Sequence, residues 1–358
     1  MKSPLPVRNG VGATRLRLPE APRAGQATVL EHLVARFGHI DPGEIAQRFD
    51  DGEVVARDGA PLSRATPLGA HDFVWYYRTL PPETPIPFEE RVLAQDRDLL
   101  VVDKPHFLPT TPGGGFLQES ALVRLRNRLG LPELTPIHRL DRATAGVILF
   151  SVRAETRGAY QTMFERRTVR KEYECVSALP AGVRGDGLRG GDDSVDLHDL
   201  GGFRGLGDFR DLGNPRDLGD FREFPVVVRS RIRKTKGELR VRLEDGPANA
   251  ESAVELLATG ASGGHRAGLP VAHFRLTPHT GKTHQLRVHM ASLGLGILND
   301  VFYPDLLDKA PDDYDRPLQL LARSIEFPDP VTGNRRRFES GLRLAEAPVA
   351  EAPAGPPA

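Results

Sequence analysis

Cysteine is nearly absent: Cys175 is the single one in 358 residues. One thiol excludes an intramolecular disulfide and suits a reducing compartment. It stands in an alternating apolar run, where a buried structural thiol is expected. Long hydrophobic runs are absent too. No stretch approaches the roughly 20 apolar residues of a membrane-spanning helix, and Met1-Lys2-Ser3-Pro4-Leu5-Pro6 lacks the apolar core of a secretory leader. A soluble cytoplasmic protein with no membrane partner is expected. Net charge is also missing, since 48 Lys plus Arg balance 48 Asp plus Glu. With no global basic excess, any nucleic-acid surface has to be local. The glycines Gly113-Gly114-Gly115 are not followed by Lys-Ser/Thr, which excludes a P-loop. His284 and His289 lack a Cys or carboxylate at ligand spacing and are not part of a His-Glu-x-x-His pattern, so no metal is expected.

The composition, 39% apolar and 27% charged, is that of a globular chain long enough for one large domain and a smaller one. Residues 1–26, rich in Pro, Gly and Arg, read as an extended arm. Residues 27–80 read as a small α/β module. Its parts are a helix over Ala27–Phe37, a second over Glu44–Phe49, a hairpin near Val54-Val55 and a strand over Asp72–Tyr77. A proline linker, 81–88, leads to a main domain at 89–344. Within it, 181–224 carries four tandem hexapeptides, Asp199–Arg204, Gly205–Arg210, Asp211–Arg216 and Asp217–Arg222. Four polar, Gly-bearing units are too few for a β-helix and predict a flexible insertion. The Ala/Pro/Glu-rich 345–358 predicts a disordered tail.

Chemistry concentrates in three stretches. In the first, Asp141 lies between Arg139 and Arg142, with Thr144 and Gly146 just ahead of a strand, Val147–Phe150. Flanking guanidiniums favour an ionised carboxylate, suited to a nucleophile or anchored anion and not to a proton donor. An ordinary Arg-Asp loop capping a strand is the plain alternative. The second is Arg167-x-x-x-Lys171-x-Tyr173, where a core aromatic would be the default for Tyr173. The third is Thr280-Gly281-Lys282-Thr283-His284-Gln285-Leu286-Arg287-Val288-His289. Between the second and third, Arg229 to Arg242 is the most basic run, and alternation would put its arginines on one strand face. Ala250–Ala258 fits strand or helix by pattern.

His138-Arg139-Leu140-Asp141-Arg142-x-Thr144-Ala145-Gly146 resembles the catalytic motif of the RluA-type pseudouridine synthases. The Tyr173 and Arg287 stretches resemble that family's second and third motifs. Lys104-Pro105 and Asn299-Asp300-x-x-Tyr303 echo two more, all in the family's order over roughly 90–340. The chain departs from the pattern at Ala145, usually Ser, and at Phe107 and Asn299, usually Gly; a different backbone is expected at 107. The resemblance implies an α+β fold: a mixed, mainly antiparallel central sheet flanked by helices, with a small S4-like N-terminal module. It favours strand for Ala250–Ala258.

It also implies a cofactor-free isomerase acting on uridine in ribosomal or transfer RNA, as a monomer. The target base leaves its stack. Asp141 then acts on the ribose, by attack at C1′ or by assisting loss of the 2′ proton. Arg287 pairs with Asp141, and Tyr173 stacks on the uracil and could take the C5 proton. Arg139, Arg142, Thr144, Lys171, Lys282, His284 and Gln285 are the expected RNA contacts. An RNA N-glycosidase and a non-catalytic RNA-binding factor remain alternatives. The first would release free uracil, and the second would have no chemistry to lose with Asp141.

Overall fold

A computed structural model describes residues 3–22, 25–37, 42–78, 82–179, 189–196, 223–308 and 310–348. The tandem hexapeptides lie outside them. The chain divides into two compact units, Met1–Pro85 with Thr111–Pro132, and Ile86–Thr110 with Glu133–Ala358.

The first unit contains β1 (Thr14–Arg17), α1 (Val29–Phe37), α2 (Pro42–Asp50), β2 (Phe73–Tyr76) and α3 (Ala121–Leu129). β1 falls within the expected arm, yet it pairs antiparallel with β2 from Thr14↔Tyr76 to Arg17↔Phe73. Its alternating Thr-Arg-Leu-Arg pattern is strand-like despite the prolines around it. Val29, Leu33, Phe49 and Val74 form a small core between helices and sheet. α3 belongs to this unit and not to the main domain, because Arg126 donates to the Gly10 carbonyl at 2.9 Å. The expected linker is anchored as well. The Glu83 carboxylate accepts the amides of Leu117, Gln118 and Glu119, each at 2.9 Å. On α2, Arg48 pairs with Glu44, and Asp50 pairs with Arg64 of the following loop.

The second unit is built on one mixed, mainly antiparallel sheet of twelve strands. In chain order these are β3 (Arg91–Gln95), β4 (Leu99–Lys104), β5 (Thr135–Pro136), β6 (Ala145–Ser151), β7 (Arg170–Ala178), β8 (Arg189–Asp196), β9 (Glu223–Arg233), β10 (Arg242–Glu244), β11 (Ala250–Ala261), β12 (Pro270–Pro278), β13 (Leu320–Pro328) and β14 (Arg335–Glu339). Helices α4 (Ala154–Glu165) and α5 (Gln285–Ser292) complete it. The spatial order is β10-β9-β11-β12-β7-β13-β6-β4-β3, with β14 on β13, β5 on β6 and β8 on β9.

Local sequence explains these placements. β4 and β6 are apolar runs buried along their whole length, as central strands require. β9 alternates, with Phe224, Val226, Val228 and Ile232 inward and Arg229, Arg231 and Arg233 outward. The outward arginines are partly neutralised, Arg229 by Glu251 at 2.8 Å and Arg233 by Glu244 at 3.0 Å. The strand expected over Glu238–Leu243 is mostly a turn, closed by the Lys234 ammonium on the carbonyls of Glu238 and Leu239. Ala250–Ala258 is strand. Residues 345–348, expected to begin a disordered tail, are docked: Glu346 is buried, and its carboxylate accepts from the Ser262 hydroxyl and the Arg266 amide.

α5 packs Leu286 and Met290 against Val226, Phe274 and Cys175, each such side chain contributing about 1.5–3 kcal/mol when fully buried. That burial carries Arg287 into the interior with it.

Candidate active site

Asp141 sits in the turn that leads into β6, whose first residues are fixed by an unusually close neighbour. Gly146 has φ +112°, and a Cβ there would lie 2.7 Å from the Ala322 amide nitrogen of β13 and nearer still to its carbonyl oxygen. Only glycine tolerates both. The Asp141 carbonyl accepts the Thr144 amide at 3.1 Å, closing the turn. Beneath it, the fully buried Lys104 ammonium donates to the carbonyls of Pro105, Leu108 and Arg142 at 3.0, 2.8 and 3.3 Å. Burial lowers its pKa to about 7, against the attraction of Asp141. Three carbonyl acceptors favour the charged form, which ties the Lys104-Pro105 loop to the Asp141 loop.

Phe107 and Asn299, the two residues standing where the family pattern has glycine, adopt φ +65° and +64°. The backbone at 107 is left-handed, a conformation that glycine takes freely. Its ring is held between Phe88 and Tyr314, at 6.0 and 5.1 Å between ring centres.

The Asp141 carboxylate, 28% exposed, opens into a cavity of about 490 Å³. Arg139, Thr144, Lys171, Tyr173, Lys282, His284, Gln285 and Arg287 all line it. Arg142 does not. It turns away to make a two-pronged ion pair with Asp312, one bond being 2.9 Å. The cation paired with Asp141 is thus Arg287, 3.7 Å away, with the buried Lys104 charge also drawn to it.

Arg287 is only 3% exposed and grips a second carboxylate, Asp300. Its Nε and Nη2 donate to Asp300 at 2.7 and 2.5 Å. Burial lowers the Arg287 pKa, but the Asp300 bonds and the Asp300 and Asp141 charges outweigh it and hold the guanidinium above its usual range. Asp300 also accepts the amides of Phe302 and Tyr303 at 2.8 and 3.1 Å. Asp141, Arg287 and Asp300 thus form a line of alternating charge. Asp300 is a site residue to which the sequence reading assigned no role, although its Asp-x-x-Tyr signal was visible.

His284 caps α5 in a left-handed conformation, φ +53°. Its Nε2 lies 3.8 Å from Asp141 and its Nδ1 3.1 Å from the Tyr303 hydroxyl. Burial lowers its pKa despite the Asp141 charge, so at neutral pH it is a neutral neighbour of the carboxylate. His289, by contrast, is enclosed, with its two nitrogens 2.9 and 3.1 Å from the hydroxyls of Ser230 and Ser252. Among the described residues no three His, Cys, Asp or Glu side chains are placed to hold a metal.

Tyr173 is half-buried on β7, between Leu276 of β12 and Ala322 of β13. Burial, reinforced by Asp141, pushes its phenol far above the usual range. A phenol so held stays protonated, which suits stacking and does not suit the proton abstraction expected of it. Gln285 is buried, and its amide is committed within the protein. It accepts from Thr280 and the Lys282 amide at 2.7 and 3.0 Å and donates to Glu251 and Ser252 at 2.9 Å each. It holds the loop, where an RNA contact was expected. Lys171 donates to the Thr280 carbonyl at 3.2 Å, and burial, with the charge of Arg167, lowers its pKa to about 8. The exposed side chains of Arg139, Arg167 and Lys282 make no hydrogen bond or ion pair among the described residues. They ring the cavity with free cations.

A sequence model described as RNA pseudouridylate synthase matches residues 98–292, more than half of the chain and the whole of this site except Asp300 and its loop. The chain belongs to the RNA pseudouridylate synthase family. Among curated members, the dual-specificity RNA pseudouridine synthase RluA of Salmonella typhi is 28% identical over 253 residues, covering 69% of this chain and 91% of that protein. An uncharacterised RNA pseudouridine synthase of Synechocystis is 30% identical over 148 residues, covering 41% of this chain and 50% of that protein. The chain spans half or less of the length of several of the curated family members it matches. Among solved structures, human RNA pseudouridylate synthase domain containing 1 superposes with a TM-score of 0.48 at 20% identity, over 73% of this chain and 86% of that one.

Proposed function

We propose that this protein isomerises uridine to pseudouridine in ribosomal or transfer RNA, with Asp141 as the nucleophilic carboxylate. The observation that carries this reading is the pairing of a partly exposed Asp141, at the cavity, with a buried Arg287 that Asp300 fixes in place. Among the described residues Asp141 is paired with Arg287 and makes no contact with a second carboxylate, which suits rearrangement better than hydrolysis, a reaction that ordinarily uses two carboxylates.

In this reading the target uridine flips out of its helix or loop and enters the cavity. Arg139, exposed at the mouth, fills the vacated stack or holds a phosphate, as a planar guanidinium can. Asp141 acts on the ribose, at C1′ or through the 2′ proton, while the N1–C1′ bond breaks. The detached uracil is held by stacking on Tyr173, turns, and forms C5–C1′; the C5 proton is lost and N1 gains one. Atoms and redox state are unchanged, so the reaction calls on no cofactor. The protein would work as a cytoplasmic monomer.

The test uses transfer and ribosomal RNA transcribed with uridine tritiated at C5. Tritium release by the wild type, with no free uracil, is expected, and Asp141→Ala should bind the same RNA yet release none. Free uracil would indicate a glycosidase. Release that survives the substitution would remove Asp141 from the chemistry.

A further inference from the structure

A second cavity, of about 750 Å³, opens beside the one that holds Asp141. Arg167, Lys171, Asn249, His279 and Thr280 are walls of both. Between the two, the bond from the Lys171 ammonium to the Thr280 carbonyl ties β7 to the loop after β12 and forms a sill. The second compartment has Thr168, Arg170, Glu251 and Thr277 to itself, and the isomerisation uses none of them. Both volumes fall in the range of roughly 300–1,000 Å³ typical of small-molecule sites.

Most polar groups around this compartment are already committed. Arg170 pairs with Glu172 at 2.9 Å and Glu251 with Arg229 at 2.8 Å. The Asn249 amide is bonded to both backbone groups of Ile232. Two groups remain without a partner among the described residues, the Arg167 guanidinium and the Thr277 hydroxyl. Arg167 is unusual in a further respect. It follows the C-cap of α4 and has φ +56°, a place glycine fills most readily. Arginine here puts a free, exposed cation on the wall common to both compartments. A guanidinium matches a phosphate, and a hydroxyl can donate to or accept from a base edge.

We propose that the second compartment receives the nucleotide next to the target uridine in the same RNA strand. Arg167 engages the phosphate that joins the two nucleotides, and the Thr277 hydroxyl faces the neighbouring base. Two adjacent nucleotides then leave their stack together, which confines the substrate to loops or other single-stranded segments. The placement of the target uridine in the first compartment rests on the isomerase reading; the RNA-binding role of the second does not.

Three variants test it: Arg167→Gly, which suits the left-handed backbone and should fold at least as well as wild type; Thr277→Trp, which fills the compartment; and Arg275→Ala, an exposed control on β12 outside both cavities. Binding of fluorescein-labelled decauridylate is measured for all three, and KM and kcat for tritium release from transcribed RNA. Arg167→Gly should raise the dissociation constant and KM by roughly tenfold, about one charge-assisted hydrogen bond. The value of kcat and the Arg275→Ala protein should be nearly unchanged. Thr277→Trp should act in the same direction. If Thr277→Trp does not fold, Arg167→Gly alone decides. Wild-type affinity and KM in Arg167→Gly would overturn the proposal and leave the isomerase reading intact. Should the wild type release no tritium, the isomerase reading fails, and the decauridylate binding still decides the role of the compartment.

Discussion

Asp300 is entirely enclosed and carries both prongs of the Arg287 guanidinium. Asp300→Ala would leave that cation buried with only Asp141 at 3.7 Å. Breaking a buried ion pair by removing one partner costs about 3–5 kcal/mol, so a large fall in the urea midpoint is expected, and Asp300→Asn should lose less. An unchanged midpoint in Asp300→Ala would show that the pair is not a support. Asp141, Tyr173 and Arg287 could be nominated from the chain because each lies in a dense local pattern. Asp300 could not be given a role, since it joins Arg287 only when the loop after α5 turns back beneath the helix. For the same reason Arg142 looked like a partner of its neighbour Asp141. Adjacent side chains in a turn point apart, and the partner of Arg142, Asp312, lies in a distant loop.

The junction of β6 with β13 tolerates no added atom at residue 146. Gly146→Ala must move β13 or distort β6, and the residue would keep a φ of +112° that alanine avoids. Loss of more than about 3 kcal/mol is expected, as for other backbone clashes at strained positions. Soluble yield and the urea midpoint would read it, and wild-type values would refute the clash. Most elements of this unit were legible from hydrophobic pattern. β4 and β6 read as buried strands because their apolar runs are short and bounded by turn residues. β1 escaped notice because its alternation spans only four residues in a stretch rich in proline and glycine, and pairing with β2 makes it a strand. Residues 238–241 read as strand by alternation, but the exposed Lys234 ammonium gathers the carbonyls of Glu238, Leu239 and Arg240 around itself. A long-range pairing decided the first place, and a local cluster of side-chain-to-backbone bonds the second.

Across the molecule's described residues, His106, His138 and His289 join His284 in being held neutral by burial. Burial pushes His138 to about 3, and His106 and His289 each to about 4. In the unfolded chain each takes up a proton near 6.5. Because the folded values are depressed, the stability they contribute is complete above pH 6.5 and is lost as pH falls toward about 4. A second loss follows lower down. The Glu174 carboxyl is raised by burial, but bonding to His273 and Arg323 more than offsets this and holds it at about 2. Its contribution disappears between the ordinary carboxylate range and that value. The urea midpoint should therefore begin to fall below pH 6.5, before the carboxylates titrate, and a midpoint flat from pH 7 to 5 would contradict the burial of these rings.

The position of β13 has a consequence in time. Asp141 precedes β6, while Tyr173 lies on β7 and Arg287 follows β12; β13, at residues 320–328, is the strand inserted between β6 and β7. A ribosome that has made the first 319 residues has already made Asp141, Tyr173, Arg287 and Asp300, yet the strand that joins their two halves does not exist. Asp141 and Arg287, 3.7 Å apart, thus stand on two halves of the sheet that β13 joins. A chain shortened before residue 320 would lack the strand that joins the half carrying Asp141 to the half carrying Tyr173 and Arg287.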